Sequence, residues 1–546
     1  MGQNLYLRIQ SNDEKETKLL DSIYFTKTHK DYYTLEQELN TLKAKLNRLG
    51  YIDAEWNVLK KLNDSVFESN VTLKKPYKYI HIYYNVSQLP TSTIRQLRKD
   101  KSKAFFIVNF QQIEKTLQFI NQQISEKGFP FNKAKLENIQ KKEGSTLKAN
   151  LVISEQNHKR YIDKILVKGY EKFPKSYLKQ YLKLKNGAPI NLAKVKQQTN
   201  LLQELPFANQ IKEPEILFSR ESTILYVYIE KTKSNSFDGF LGFGTDEATS
   251  KLALTGYLNL ELTNNLNYGE TLSIAYRSDE SEQKSFAANL KLPYLFSTPI
   301  GAEFELSIFK KDSSFTTAQQ SARINYLLNS KNQFSIGLKS TKSNNLLSND
   351  NLNPFIRDYT TTFYNARYLY THHLKNRPLF KRNAQVRLET GFGNRATKEE
   401  RQRQLHFELD AFKIFNLNLK NNVYLKASSY GLFSNTYLEN ELSRFGGINS
   451  IRGFEENSLN ASFYALLASE YRYSLSPNLY VHSIIDVAYF ENKIINQKTK
   501  LYSFGFGFGL NTKAGLLRFN YANGKSEERI FKFSNSKIHI SLTAAF

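Results

Sequence analysis

The chain has 546 residues, carries 76 Lys+Arg against 51 Asp+Glu for a formal charge of +25, and contains no cysteine. That length predicts several domains, and the missing thiols exclude disulfides, thiolate zinc sites and cysteine nucleophiles. An aromatic content of 14% excludes a disordered chain, and no run reaches the roughly 18 consecutive apolar residues a membrane helix needs. A transmembrane β-barrel passes this filter, because only every second residue of its strands faces lipid.

The start, Met1-Gly2-Gln3, shows no charged-then-apolar leader, and Tyr6 stands where a myristoylation signal wants Ser or Thr. Two readings fit it: a mature exported chain beginning near Gln3, or an ordinary cytoplasmic start. Up to about residue 235, helix and strand periodicities alternate in three units of β-α-α-β-β order, over residues 1–75, 76–158 and 159–235. In the first, Thr34 and Gln37 predict a capping box for a helix with Leu35, Leu39, Leu42, Leu46 and Leu49 on one face, stopped by Gly50-Tyr51. The second opens with a strand over 79–83, continues to a helix carrying Phe110, Ile113, Leu117, Ile120 and Ile124, and closes with a strand over 147–154. In the third, a strand over 161–167 leads to a short helix over 175–184, a helix capped by Asn191, and strands over 215–218 and 223–230. Recurrence at a near-fixed period predicts an array of one supersecondary unit.

From 236 to 546 the period is two. Ala302, Phe304, Leu306 and Ile308 alternate with Glu303, Glu305 and Ser307, and Leu252, Leu254, Leu258 and Leu260 alternate in the same way. The predicted fold class is therefore α+β repeats followed by an all-β, sixteen-stranded antiparallel transmembrane barrel. Connections alternate short (329–332, 476–478, 512–515) with long and polar (278–284, 340–357, 393–402, 523–535), as short turns on one side of a membrane and long loops on the other require. The carboxy-terminal strand presents Ile538, Ile540, Leu542, Ala544 and Phe546 on one face. Closure into a barrel removes the unpaired strand edges that lipid cannot satisfy.

The longest connection, about 433–460, contains Phe445-Gly446-Gly447-Ile448-Asn449-Ser450-Ile451-Arg452-Gly453-Phe454. Glycines allow a tight reversal, and a lone guanidinium can bind carboxylates bidentately in a confined lumen. Period-two counting turns Glu470 and Asp486 of the next two strands inward as its candidate partners. The blander alternative is a surface-loop arginine.

This block, with Glu470-Tyr471-Arg472, Asp486, Gly505-Phe506-Gly507-Phe508-Gly509 and the terminal Phe546, resembles the BamA/TamA outer-membrane family, whose barrels are also called bacterial surface antigens. The family's Asp-Ala-Gly is here Asp486-Val487-Ala488, a departure. The three repeats resemble POTRA domains, and three of them with sixteen strands is a TamA-like count. The resemblance implies a non-enzymatic insertase or assembly factor of the bacterial outer membrane, with POTRA domains in the periplasm and no cofactor or metal. Its implied partners are the outer-membrane bilayer, unfolded outer-membrane or secreted clients, and a periplasmic or inner-membrane protein. Gly446, Gly447, Ile451, Arg452, Gly453 and Phe454 would form the internal loop, braced by Glu470 and Asp486. The seam of such a barrel would lie between the first strand, with Gly239, Gly242 and Gly244, and the last, with Ile538, Ile540 and Phe546; the glycines weaken a strand interior and equally fit a bend. The alternative is a pore of two-partner-secretion type.

Enzyme motifs fit poorly. Phe519 stands where a phosphate loop ending in Gly524-Lys525-Ser526 needs its first glycine, His372-His373 sit at a predicted turn with no acid at metal spacing, and His539 with Ser541 lacks a third catalytic member. Residues 76–200 hold an excess of basic side chains, which reads either as a solvated face or as a surface for anionic lipid or an acidic partner. No nucleic-acid reading motif accompanies the charge.

Overall fold

Leucines three and four residues apart share one face of a helix, and in the helix Tyr32–Arg48 the buried set is Leu35, Leu39, Leu42 and Leu46. They pack on Leu7, Ile9 and Val71 of the first sheet and on Leu73 just beyond it. The computed structural model describes residues 4–97, 104–154, 159–245, 252–278, 283–347, 353–373, 379–380, 382–512, 515–527 and 536–545. The chain divides into two compact units: Met1–Asp163 with 186–194 and 220–223, and Lys164–Lys185 with 195–219 and 224–546.

The first unit holds two sheets of like topology. In one, Leu5–Gln10 runs parallel to Val66–Thr72 and antiparallel to the short strand Thr28–His29. In the other, Tyr79–Tyr83 runs parallel to Thr146–Ile153 and antiparallel to Phe105–Asn109, with Ala134–Lys142 on the far side. The predicted order therefore gains an edge strand between the two helices of each of these two repeats. In the second repeat that strand alternates buried Phe106 and Val108 with exposed Ile107 and Asn109. The helix cap also differs: Asp31, not Thr34, caps the helix, its Oδ1 accepting from the Thr34 amide at 2.8 Å, so the helix begins two residues before the predicted box.

The second unit begins with a third sheet, in which Lys164–Gly169 is parallel to Thr223–Lys231. Ala208–Gln210 and Glu215–Phe218 pair with the other side of Thr223–Lys231. The short helix expected over 175–184 is a single wide turn, Tyr177–Tyr181, closed by Leu182 N donating to Tyr177 O at 2.9 Å. That wider spacing buries both tyrosines.

Sixteen antiparallel strands, from Ser236–Thr245 to Lys537–Ala545, then close into a barrel. Its polarity is the inverse of a soluble core. Ile324, Ile336, Leu338, Phe392, Leu467, Phe506 and Ile540 lie exposed on the outer wall, whereas Glu303, Arg323, Asn365, Glu389, His406, Glu470 and Asp486 are buried inside. No helix among the described residues is long and apolar enough to cross a membrane. The outward apolar side chains of the barrel wall form a membrane-compatible surface in their own right.

Several predicted loops are strand. Asn332–Asn345 extends well into the expected 340–357 loop, and Arg382–Ala396 with Arg401–Asn416 leaves only 397–400 of the expected 393–402 loop. His372 and His373 end the strand Tyr359–His373 and do not form a turn. A barrel strand is polar on its lumen side and along any length beyond the apolar band, so polarity cannot separate it from loop. Much of the expected loops 278–284 and 523–535 lies outside the described residues.

Leu42 is fully buried in the first repeat, with no part in the barrel. Leu42→Ala should cost that repeat about 2–5 kcal/mol. Far-UV circular dichroism should show an earlier helical melting phase, with the barrel's heat-modifiable gel mobility unchanged.

Candidate functional site: internal loop, lumen wall and seam

The connection between strands Asn421–Phe433 and Phe463–Ser476 folds back into the barrel as a small hairpin, Ser443–Phe445 with Leu459–Ala461. Gly446 and Gly447 take φ of +112° and +95°, a left-handed reversal open to glycine. Ile451 O accepts from Gly447 N at 3.1 Å, and Ser450 Oγ accepts from Gly446 N at 2.7 Å, which tightens the turn. Apolar anchoring comes from Phe445, Ile451 and Phe454, buried with Leu466, Ala488, Phe490 and Leu501 of the wall.

This seating delivers Arg452 to two buried carboxylates. Arg452 Nε donates to Asp486 Oδ2 at 2.9 Å, its backbone amide to the same oxygen at 3.1 Å, and Nη2 to Asp486 Oδ1. Nη1 donates to Glu470 Oε1. Glu470 in turn accepts from Arg472 Nε at 2.7 Å, and the Arg472 guanidinium lies 4.2 Å over the Tyr424 ring. The loop arginine is thus held by a bidentate fork and a second acid, each charge answered within the lumen. A surface-loop arginine does not describe this residue.

Two contacts here escaped the sequence reading. Gly453, at φ +82°, packs on the backbone of Asn523 and Gly524, and a Cβ on Gly524 would sit 2.6 Å from the Phe454 ring. The Gly524 of the rejected phosphate-loop motif is therefore a seat for the loop, a pairing that no local pattern encodes. A second buried network joins Arg323 to Glu305 (2.9 Å) and Arg367 to Glu389 (2.7 Å) on adjacent strands, and Arg367 to Glu303 (3.3 Å) across two intervening strands. Inward charges at period two were its only available signal.

The loop also reaches both flanks of the barrel's closing edge. Glu455 receives Lys537 of the last strand at 2.8 Å, and Glu456 receives Arg277 of the third strand at 2.7 Å. At that edge, among the described residues, the first and last strands pair only at Ser236↔Ala545 and Phe237↔Ala544, whereas the first strand pairs with the second along its whole length. Gly239, Gly242 and Gly244 all belong to the first strand; a Cβ on Gly239 would lie 2.7 Å from Tyr257 O. Ile538 and Ile540 lie exposed on the outer wall, in register with Tyr521 and Phe519. Phe546 lies outside the described residues. Behind the seam is a polar cavity of about 670 Å3, lined by Asp238, Arg277, Arg452, Arg518 and His539 among others.

The POTRA family pattern (Surface antigen variable number repeat) matches residues 160–232, the third repeat. Among solved structures the chain is similar to BamA from Haemophilus ducreyi lacking POTRA domains 1-3, at 15% identity over 85% of this chain and 99% of that one, with a TM-score of 0.52. It is similar to CdiB from Acinetobacter baumannii at 15% identity and to CdiB from Escherichia coli at 14%, each over 94% of this chain and 97% of the other, with TM-scores of 0.52 and 0.51. The chain shares the fold of these proteins, a POTRA-type repeat followed by a sixteen-stranded barrel. A comparison with curated proteins gave no match. The likeness is one of fold, and it points equally to BamA-like and CdiB-like architectures.

Arg452→Ala leaves Glu470 and Asp486 uncompensated and should cost about 3–5 kcal/mol. The barrel should lose its heat resistance in the gel-mobility assay while the repeats still fold. Arg452→Lys should recover only part, because an ammonium cannot form the fork. Wild-type heat resistance in Arg452→Ala would show that the loop does not brace the barrel.

Proposed function

We propose that this chain is an outer-membrane insertase or assembly factor, whose periplasmic POTRA repeats receive client β-barrel proteins or envelope lipids and whose barrel admits them through its seam. The observation that carries this reading is the closing edge with two paired positions. In lipid each unpaired backbone group costs several kcal/mol, so a short seam is the cheapest place for the ladder to open and pair with an incoming strand. The repeats suit the receiving role, because edge strands such as Phe105–Asn109 can add an extended segment by backbone pairing. The chemistry is physical, with no bond made or broken.

The second reading, a secretion pore, is favoured by the cavity behind the seam and by the equal likeness to CdiB. Three repeats, against the two that such pores typically carry, weigh against it.

Because the chain contains no cysteine, Phe237→Cys with Ala544→Cys places one thiol pair at the seam register. Oxidation should lock the seam and stop assembly of a test barrel client in proteoliposomes, with reduction restoring it. If assembly continues with the link formed, lateral opening is not the mechanism. If the locked protein still exports a soluble client, the pore reading takes its place. In intact cells, an external protease should cut within 346–358 and spare residues 1–235; cleavage among the repeats would reverse the proposed orientation.

A further inference from the structure

Where the chain enters the barrel, two turns differ from their neighbours. Most described turns on that rim, such as 328–331, 417–420 and 477–478, are tight. The turns 264–270 and 293–299 are longer and strained: Tyr294, Phe296 and Ser297 take φ of +51°, +52° and +57°, a region that side-chain-bearing residues rarely occupy. The third repeat holds them there. The Tyr294 ring packs edge-on to Tyr177 at 4.9 Å, and Gln180 Nε2 donates to Ser297 O at 2.6 Å. Tyr170 donates to Asn267 Oδ1 at 2.5 Å, and Tyr177 donates to Gly269 O at 3.2 Å. Burial pushes the Tyr177 phenol well above its ordinary pKa, so it stays a neutral donor.

This clamp exposes apolar side chains. Phe296 is 96% exposed, and Leu266 and Tyr268 are each 70% exposed. Between them and the segment 171–176 lies a groove of about 600 Å3, walled by Phe173, Pro174, Leu266, Pro293, Leu295 and Phe296. Lys172 and Lys175 stand at its edge, exposed and without an ion pair among the described residues. Segment 164–185 carries seven lysines and one acid, Glu171. Strained backbone that exhibits a phenylalanine, an apolar trough and two exposed lysines form one surface; Glu171 also lines it, as does the buried Glu270, whose carboxylate is taken up by the Leu266 and Tyr268 amides. It suits an amphiphile whose polar end is anionic. The walls are turns and a helical segment with no strand edge to extend, so an extended client is the poorer fit.

We propose that this groove binds one anionic glycerophospholipid of the leaflet facing the entry rim, with acyl carbons on Phe296 and Leu266 and the phosphate between Lys172 and Lys175. Exposed rings at a barrel rim belong at the headgroup level, where lysines meet anionic headgroups. The inference rests on the reading that the barrel lies in a membrane with its entry rim at the periplasmic leaflet. A lipid here would fix the third repeat at a set height over the bilayer, directly beside the first barrel strands.

The test uses the full chain in nanodiscs of mixed phosphatidylethanolamine and phosphatidylglycerol, released into mild detergent and analysed by native mass spectrometry. The wild-type chain should retain phosphatidylglycerol in preference. Lys172→Glu with Lys175→Glu should cut that preference about tenfold or more. Phe296→Ser should lower retention of both lipids, and Lys60→Glu with Lys61→Glu, in the first repeat, should change neither. Equal retention of the two lipids, an unchanged preference in the Lys172/Lys175 variant, or a second copy of the chain seated in place of lipid would overturn the site. Bilayer insertion is scored separately by heat-modifiable mobility. A wild-type barrel that inserts without lipid preference sinks the site alone, whereas one that does not insert sinks the membrane reading and the site together.

Discussion

A strand ladder in lipid has no water to satisfy its unpaired backbone groups, and the architecture follows from that constraint. Fifteen junctions in this barrel are extended antiparallel ladders, and the sixteenth, where the sheet meets itself, is held at two positions among the described residues. The internal loop lies against that weak edge. Its acids reach Arg277 and Lys537 on either flank, while Arg452 ties its base to the wall through Asp486 and Glu470. The two flanking pairs are partly exposed and so individually weak, and they can separate without dismantling the ladder.

The third repeat is continuous with the barrel in its packing. Tyr294, a barrel-turn residue, completes an aromatic cluster with Tyr177, Phe173 and Phe207, and Gly269 leaves the space that the Tyr177 ring fills. A domain that lends its core to a barrel turn also decides what that turn presents outward. The packed junction and the exposed rim are therefore two results of one arrangement.

The inverted polarity of the wall was legible in the sequence because strand side chains alternate strictly. Once Leu466 and Ala468 take one face, Glu470 must share it, and the same counting turns Asp486 inward. That rule and the glycine spacing of the loop led to the Arg452 cluster from local pattern. Edge strands as short as Thr28–His29 left no such trace, and the lumen-side polarity of long strands resembled loop.

The sequence by itself determined the repeat-then-barrel order, the period-two wall and the residue types at the loop, since each rests on spacing along one segment. The tertiary structure alone decided that Gly524 seats Phe454, that Gly269 admits Tyr177, that the seam pairs at two positions and that Phe296 stands free beside Lys172. Those facts depend on how closely segments distant in the chain approach one another, and close packing fixes that distance only once the whole barrel has closed.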